Sequence, residues 1–585
     1  MRRSNYDKYP FIQVENENNS CIVSWSAISQ ELNARIKSSN KTKHIILVEC
    51  YQGVIHNDVA ITLQNTLEHV LWISTESLFK DEIVIQKMIH PDMTDDLVFG
   101  YFTRLNIKDY FDESKLKASL EEVDKLDRGT VIVYGTGASL LAKDFDLLIY
   151  ADMPRWEIQQ RMRKNEVDNL GVKNRNNDFT NKYKQGYFID WRVCDRLKKA
   201  VYNHSDYVLD TTIREEPKLV KTKAINEGLT KAITRPFRVV PFFDPGPWGG
   251  QWLKEICDLD KTAVNYAWGF DCVPEENSLL LAFGEVKVEI PSINLVFFRA
   301  KELLGEQVQA RFGDEFPIRF DLLDTMSGGN LSLQVHPLTG YIQEQFGMHY
   351  TQDESYYILD AAPDAGVYLG MKKKGTKREL FDSLESAYSE NSLFDVEQYV
   401  NRWPVKKHDH LSIPAGTIHC SGANTVVLEI SATPYLFTFK MWDWNRVGLD
   451  GKPRPIHLNH AKNVLQDARH EEWVKQNALD IVREIGSGAG WKEERTGLNH
   501  LQFIETRRHW FTEKVQHDTN GNLNVLNLVQ GREVIVESPE NMFVPFSVHY
   551  AETFIIPAAA GAYTIKPVGE AQGTECATIK AYVRF

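Results

Sequence analysis

The sequence lacks the patterns that define several classes of protein. It has no CxxC pair, and its seven cysteines are odd in number and widely scattered, which argues against a disulfide framework and a thiolate zinc site. It has no apolar run long enough to cross a bilayer, and its N-terminal stretch lacks the apolar core of a secretory signal. We therefore expect a cytoplasmic protein whose cysteines are small buried apolar groups and which does not bind membranes.

Basic residues are also fewer than acidic residues. Lys and Arg number 67 against 80 Asp and Glu, which gives a formal net charge of -13. A general nucleic-acid binder needs a basic surface to neutralise phosphates, so we expect no nucleic-acid partner. A small anionic substrate would instead need a local cationic pocket.

The chain does have length, and its 585 residues predict two to four folding units. Its first part alternates apolar runs with longer amphipathic stretches, a pattern typical of an α/β domain. The chain changes character between residues 218 and 241, where the Pro- and Gly-rich segment TRPFRVVPFFDPGPWGG (234–250) begins, so we predict the first domain at residues 1–217. Its predicted buried parallel strands are HIILVEC (44–50), TVIVYGTG (130–137), DLLIYAD (146–152) and DYVLD (206–210).

The remainder of the chain is rich in short strand-like runs. Turn residues separate these runs, as expected of an antiparallel barrel or sandwich. Two helical interruptions are predicted, at residues 377–403 and 457–485. We predict a metal-binding β domain at residues 236–497 and a second, smaller β domain at residues 498–585.

Four side chains of metal-binding type occur in this β-rich part. Gln334 and His336 are two residues apart in LSLQVHP, so a strand there points both to one side. Glu354 begins the strand-like run that contains SYYILD, and His419 closes IPAGTIH. Nitrogen and oxygen donors with one carboxylate suit Zn²⁺, and Mn²⁺ or Fe²⁺ would be tolerated. A lone strand histidine is more often a hydrogen-bonded core residue, so spacing alone leaves both interpretations open.

These segments occur in the order and approximate spacing of type I mannose-6-phosphate isomerases, which the chain resembles over about residues 236–585. PWGG (247–250), the segment at residues 443–446 and GKPRPIHLNHA are similar to further motifs of that family. The resemblance implies cupin (jelly-roll) barrels with helical insertions and a small sugar-phosphate substrate. It also implies a metal site made of Gln334, His336, Glu354 and His419.

The resemblance implies an isomerase that interconverts mannose 6-phosphate and fructose 6-phosphate through an enediol, with the metal as Lewis acid. Glu429 in VVLEIS resembles a family glutamate that could move the proton, although a surface strand glutamate is the alternative. Lys440 stands where the family has an arginine and keeps the charge without the bidentate fork. Gln352 stands where the family commonly has a lysine. These departures motivate an alternative, a non-catalytic cupin that binds or senses a sugar phosphate.

Two further charged motifs admit a functional interpretation. His408 and His410 in HDH could hold a second metal, but Asp409 matches a turn residue of the family, so we predict a polar turn instead. The basic run KKKGTKR (372–378) could attract a sugar phosphate, or it could be a solvated loop that leads into a helix.

In the N-terminal part, HIILVECYQGVIHND lies where a P-loop kinase carries its phosphate-binding loop. That loop needs several glycines, a lysine and a Ser or Thr, whereas this segment has only Gly53. The strand pattern and the basic helix with Arg161 and Arg163 nevertheless resemble P-loop nucleoside kinases of the uridine kinase type. The resemblance implies a degenerate kinase-like α/β domain that has lost ATP chemistry, with a bifunctional kinase-isomerase as the alternative.

Overall fold

The computed structural model describes residues 4–500 and 502–585, which form two compact units. The N-terminal unit comprises Phe11–Lys231 and Ser278–Phe298. The C-terminal unit comprises the residues up to Pro10, Ala232–Asn277 and Arg299–Phe585. The chain therefore passes between the two units more than once.

The part of the chain up to residue 232 alternates strands and helices. Within the described residues, no helix is both long enough and apolar enough to span a bilayer. The elements are β1 (Phe11–Gln13), β2 (Cys21–Val23), α1 (Trp25–Ser38), β3 (Lys43–Cys50), α2 (His56–Thr66), β4 (Leu71–Ser74), α3 (Glu82–Met93), α4 (Glu113–Lys125), β5 (Gly129–Gly135), β6 (Leu147–Asp152), α5 (Arg155–Arg163), α6 (Phe179–Gln185), α7 (Trp191–Val201), β7 (Tyr207–Asp210), β8 (Lys218–Lys221) and α8 (Thr222–Ala232).

The centre of the N-terminal unit is a seven-stranded sheet with the order β2-β8-β7-β6-β3-β5-β4. Strands β4, β5, β3, β6 and β7 pair in parallel, and β8 and β2 add antiparallel edges. All four predicted strands lie among the parallel ones, which confirms the predicted parallel sheet. Their apolar runs are continuous because both faces of such a sheet are covered.

Beyond residue 232 the chain forms strands interrupted by short helices. The elements up to residue 477 are β9 (Phe242–Asp244), α9 (Trp252–Ile256), β10 (Trp268–Cys272), β11 (Ser278–Phe283), β12 (Val286–Pro291), α10 (Ile293–Leu304), α11 (Glu306–Phe312), β13 (Ile318–Asp324), β14 (Leu333–Val335), α12 (Thr339–Phe346), β15 (Glu354–Ala361), β16 (Gly366–Met371), α13 (Lys377–Glu390), α14 (Val396–Tyr399), β17 (Val400–Pro404), β18 (His410–Ile413), β19 (His419–Ser421), β20 (Thr425–Ala432), β21 (Phe439–Trp442), α15 (Leu458–Val464) and α16 (Glu471–Asn477).

Two antiparallel sheets of the C-terminal unit form what we call the first β-sandwich. One sheet has the order β18-β15-β20-β13-β10-β9 and the other β17-β16-β19-β14-β21. Helices α13 to α16 fall inside the two predicted helical interruptions. The antiparallel β architecture predicted for this part is confirmed.

The hairpin β11–β12 belongs to the N-terminal unit, although it falls inside the range predicted for the metal-binding domain. The reason is strand pairing: β11 joins β1 in parallel over Phe11 to Gln13, and β12 pairs with β11. The three predicted domain ranges stay a prediction, and the observed units differ from them at this hairpin.

The last strands form the second β-sandwich. They are β22 (Arg483–Gly488), β23 (Trp491–Thr496), β24 (Ile504–Phe511), β25 (Val515–Asp518), β26 (Asn524–Gln530), β27 (Glu533–Glu537), β28 (Phe546–His549), β29 (Thr553–Ile556), β30 (Ala562–Pro567) and β31 (Cys576–Val583). Its sheets have the orders β22-β23-β24-β31-β26-β29 and β25-β30-β27-β28. The predicted start at residue 498 lies between β23 and β24, which pair along their length, so the strands of this sandwich begin earlier.

Six of the seven cysteines are buried as predicted, and Cys21 is partly exposed. All seven lie in the described part of the chain and are unpaired. They contribute packing volume to the cores and no covalent link.

Candidate metal centre

Three buried side chains with metal-binding atoms meet between the two sheets of the first β-sandwich. His336 follows β14 and His419 opens β19 in one sheet, whereas Glu354 opens β15 in the other. One donor atom of each lies within 4.8 Å of the others, and none of the three residues is more than 1% exposed. The two sheets therefore deliver distant parts of the sequence to one point.

Gln334 joins this group from β14. Its backbone is the cross-strand partner of His419, and its amide nitrogen lies 3.3 Å from Nε2 of His419. Because a half-turn of the amide exchanges its nitrogen and oxygen, Oε1 can occupy the same position. The structure thus brings all four residues of the predicted set together.

Backbone hydrogen bonds fix which ring nitrogen of each histidine faces the centre. Nδ1–H of His336 donates to the carbonyl oxygen of Phe437 at 3.1 Å, and Nδ1–H of His419 donates to that of Thr417 at 2.8 Å. In a neutral imidazole a proton on Nδ1 leaves Nε2 as a bare lone pair. When the rings are neutral, both Nε2 atoms therefore turn a lone pair toward Glu354.

With both rings neutral, no positively charged side chain of the described residues lies between the two histidines and Glu354. Nε2 of His336 lies 3.2 Å and Nε2 of His419 lies 2.7 Å from the carboxylate oxygens of Glu354. Nε2 of His336 and Oε1 of Glu354 have no hydrogen-bond partner within the described chain. Facing lone pairs repel one another in a buried site unless a cation lies between them. This nitrogen and oxygen donor set fits Zn²⁺, Mn²⁺ or Fe²⁺.

Gln352 links the metal centre to Glu429 on β20. Its amide nitrogen donates to Oε2 of Glu354 at 3.1 Å and to Oε1 of Glu429 at 3.2 Å. Glu429 is 4% exposed, so the predicted alternative of a surface strand glutamate is wrong. Burial, and then the charge of Glu354, raise the pKa of Glu429, whereas Arg319 opposes the rise.

Arg319 on β13 is a site residue that the sequence interpretation missed. Its guanidinium contacts the carboxylate of Glu429, and its Nε lies 3.1 Å from Oδ1 of Asp321. Arg319 is 7% exposed and Asp321 2%. A signal was present in IRFDLLD, because charged residues two apart on an otherwise apolar strand are rare unless they are paired or functional.

Lys440 faces the same side of its sheet as Gln334. The two residues are cross-strand partners between β21 and β14, and directly opposed side chains project from one face. Burial, and then the nearby Arg454, lower the pKa of Lys440 to about 7, and Asp443 opposes this. The carboxylate of Asp443 pairs with the guanidinium of Arg454 at 2.9 Å. This ion pair accounts for the aspartate in the motif at residues 443–446.

The other predicted motifs lie outside this centre. His410 is buried with both ring nitrogens bonded, to Thr496 at 2.8 Å and Ser355 at 2.9 Å, so it has no free donor for a metal. His408 has a φ of 76°, which confirms the predicted turn. The basic run at residues 372–378 leads into α13 and includes Lys373, which pairs with a surface glutamate at 3.0 Å.

Comparisons with known proteins place these residues in a family. The probable mannose-6-phosphate isomerase GmuF of Bacillus subtilis (strain 168) is 31% identical over 258 residues, 43% of this chain and 76% of that protein. The chain belongs to the mannose-6-phosphate isomerase family. Mannose-6-phosphate isomerase ManA of the same organism is 29% identical over 234 residues, 40% of this chain and 69% of its own length.

A solved structure and a family model also match parts of the chain. The crystal structure of the mannose 6-phosphate isomerase from Bacillus subtilis covers 59% of this chain and 99% of its own, with 20% identity and a TM-score of 0.48. Residues 24–234 match a family model described as a domain of unknown function, DUF8485. Family membership therefore concerns part of the chain, and DUF8485 covers most of the N-terminal unit.

Proposed function

We propose that the C-terminal unit is a metal-dependent aldose-ketose isomerase that interconverts mannose 6-phosphate and fructose 6-phosphate. One observation carries the proposal: the buried Nε2 atoms of His336 and His419 face the carboxylate of Glu354 at 3.2 and 2.7 Å. Membership of the mannose-6-phosphate isomerase family supports the reaction. These three residues and Gln334 would hold Zn²⁺, with Mn²⁺ or Fe²⁺ as alternatives. The proposed architecture of both sandwiches is that of cupin barrels.

The proposed reaction moves a proton between C1 and C2 of the sugar phosphate through an enediol. A divalent cation, when bound, supplies Lewis-acid stabilisation of the negative charge that develops on the substrate oxygens. Glu429 carries the proton in this proposal. Its pKa is raised by burial and by Glu354, which makes the carboxylate a stronger base than a solvated glutamate.

Arg319 takes the cationic role that the family commonly gives to a lysine at position 352. Its guanidinium contacts Glu429 directly, while Gln352 donates hydrogen bonds to Glu354 and Glu429 without adding charge. Arg319 acts through Glu429 as a positioning residue, because it fixes the carboxylate and keeps it ionised. Lys440 lies on the face that it shares with Gln334, where the charge of an anionic substrate would favour its protonated form, although burial lowers its pKa to about 7.

A non-catalytic cupin that binds or senses a sugar phosphate is the alternative, and one double variant separates the two functions. Gln352→Lys with Lys440→Arg restores the family pattern. If Arg319 already supplies the charge, the added lysine competes with it for Glu429, so we expect kcat to fall about tenfold or more from the wild-type value. Steady-state kinetics on metal-analysed protein measure this. An inactive wild type that gains turnover from the two changes would favour the binding protein.

For the N-terminal unit we propose a kinase-like domain that has lost ATP chemistry. The turn after β3, where a phosphate-binding loop would lie, is occupied by the chain's own groups. Arg161 is 1% exposed and donates to the carbonyl oxygens of Gly53 at 2.9 Å and Thr211 at 2.6 Å. Trp191 donates to the side chain of Gln52 in the same turn at 3.1 Å. Arg161 is thus committed to backbone oxygens of its own chain.

We expect ATP with Mg²⁺ not to bind the full-length protein. The reason is that the chain lacks the glycines, the lysine and the hydroxyl that cradle nucleotide phosphates. Isothermal titration calorimetry at pH 7 measures this, with mannose 6-phosphate as the positive control for an active preparation. Saturable ATP binding that survives His419→Ala would instead support the bifunctional kinase-isomerase.

A further inference from the structure

The second β-sandwich carries an ionic cluster on the inner face of one sheet. Cross-strand pairs place Glu493 opposite His509, and His509 opposite Thr578, on β23, β24 and β31. Arg507 is opposite Lys580 in the next register position on that face. Directly opposed residues project from one face of a sheet, so these five side chains share one wall of the interior.

The opposite sheet contributes His517 from β25 to the same interior. Its ring centroid lies 4.4 Å from that of His509 and 5.0 Å from that of Tyr563. The apolar core of the sandwich includes Phe511, Val515 and Cys576, which neighbour the cluster along their strands. Polar groups therefore interrupt an otherwise apolar core between two sheets.

On the two histidines and the threonine of the cluster, three polar atoms have no hydrogen-bond partner among the described residues. They are Nδ1 of His509, Nε2 of His517 and Oγ1 of Thr578, on residues that are 2%, 8% and 0% exposed. Buried polar atoms are bonded in the great majority of cases, so three unpartnered atoms on neighbouring residues call for a missing partner. Thr578 and His517 can donate from these atoms, whereas Nδ1 of His509 accepts in the neutral ring, because Nε2–H of His509 faces the carboxylate of Glu493 at 3.3 Å.

The charged side chains of the cluster indicate whether the missing partner is an anion or a cation. Four cationic side chains (Arg495, Arg507, Lys580 and Arg584) accompany three carboxylates (Glu493, Glu505 and Asp518, the last of which acts on Lys580) in a chain of net charge -13. Arg495, Arg507 and Arg584 all lie within 3.5 Å of the carboxylate of Glu505. Lys580 is 8% exposed, and burial lowers its pKa to about 8 although Glu493 opposes this. The surplus is one positive charge when Lys580 is protonated.

We propose that this cluster binds a small tetrahedral oxyanion of the phosphate class. Hydroxyl, imidazole and ammonium donors approach from two facing sheets, which suits an acceptor with oxygens in several directions better than a planar carboxylate. The P–OH group of a monohydrogen phosphate can also donate to Nδ1 of His509 while its other oxygens accept. Arg495, Arg507 and Arg584 have side chains that are 30%, 18% and 20% exposed, so the anion enters beside them. This site is separate from the proposed isomerase centre and does not rest on it.

Thermal unfolding of the full-length, metal-loaded protein tests the proposal. Inorganic phosphate, titrated against chloride at constant ionic strength, is expected to raise the unfolding midpoint saturably, because a ligand of the native state stabilises it. Thr578→Val removes one donor with little change of shape, and we expect about a tenfold loss of phosphate affinity. Lys580→Met is expected to raise the midpoint without phosphate, since it removes a poorly compensated buried charge, and to abolish the phosphate-dependent rise.

Matched variants distinguish phosphate binding at this cluster from phosphate binding elsewhere on the protein. Lys566→Met removes a half-exposed lysine on β30 that pairs with Glu537 at 2.9 Å, and it should keep the full response to phosphate. Half-saturation at a lower concentration of glucose 6-phosphate than of inorganic phosphate would identify a metabolite's phosphoryl group as the ligand, and the reverse order a free ion. An unchanged rise in Lys580→Met, no saturable rise in the wild type, or a rise lost only in His419→Ala would each overturn the proposal.

Discussion

His419→Ala is expected to lose bound metal and isomerase turnover together. The substitution removes one of two imidazole donors and leaves Glu354 facing only His336. Loss of an outer partner of a metal ligand alone costs about 10–100-fold in affinity, so loss of a ligand itself should lower metal affinity by more than about 100-fold. Metal analysis after dialysis and a coupled assay of fructose 6-phosphate formation measure the two effects on one preparation.

His410→Ala is the matched control for that variant. His410 is a fully buried histidine of the same β-sandwich whose two ring nitrogens are bonded to Thr496 and Ser355. Its removal should lower the unfolding temperature but leave the metal content unchanged. Full metal occupancy in His419→Ala, or equal metal loss in both variants, would contradict the assignment of His419 as a ligand.

Arg319→Gln is expected to lower kcat by about 10²–10³-fold while the metal stays bound. The guanidinium contacts Glu429 and Asp321, and without it two buried carboxylates and Glu354 repel one another. The pKa of Glu429, already raised by burial and Glu354, would rise further, so less of the proposed base would be ionised at neutral pH. General base catalysis contributes about 10²–10⁴-fold, which sets the size of the loss.

The proposed role of Arg319 can be separated from a purely structural one. Breaking a buried ion pair costs about 3–5 kcal/mol of stability. Arg238→Gln is the matched control, because it should lower the stability by a similar amount. Arg238 is buried between Asp271 at 3.1 Å and Glu552 at 2.8 Å. Only Arg319→Gln should shift the acid limb of the kcat profile to higher pH, and added guanidinium should restore part of its activity. Equal kinetic effects in the two variants would show that Arg319 serves folding alone.

Much of the metal centre could be predicted from sequence, because its residues lie in short local patterns. The spacing of Gln334 and His336 fixes both on one side of a strand, and the turn before His419 delivers that residue to the next strand. The parallel sheet of the N-terminal unit could likewise be predicted from its continuous apolar runs. In each case the local pattern and the tertiary structure agree.

The features that the sequence did not predict depend on pairing between strands that are distant in the sequence. Arg319 acquires its role only when β13 pairs with β20 and places it beside Glu429. The hairpin β11–β12 reads as part of the following β domain until β1 is seen to pair with it. Likewise, β22 lies partly within the range predicted as helix, since its pairing with β23 overrides the local pattern.

The most direct test of the proposed function is conversion of mannose 6-phosphate by metal-analysed wild-type protein. The account predicts that fructose 6-phosphate forms, that a chelator stops the reaction, and that Zn²⁺, Mn²⁺ or Fe²⁺ restores it. Bound metal without turnover of either hexose phosphate would contradict it, and the chain would then be a metal-containing binding protein.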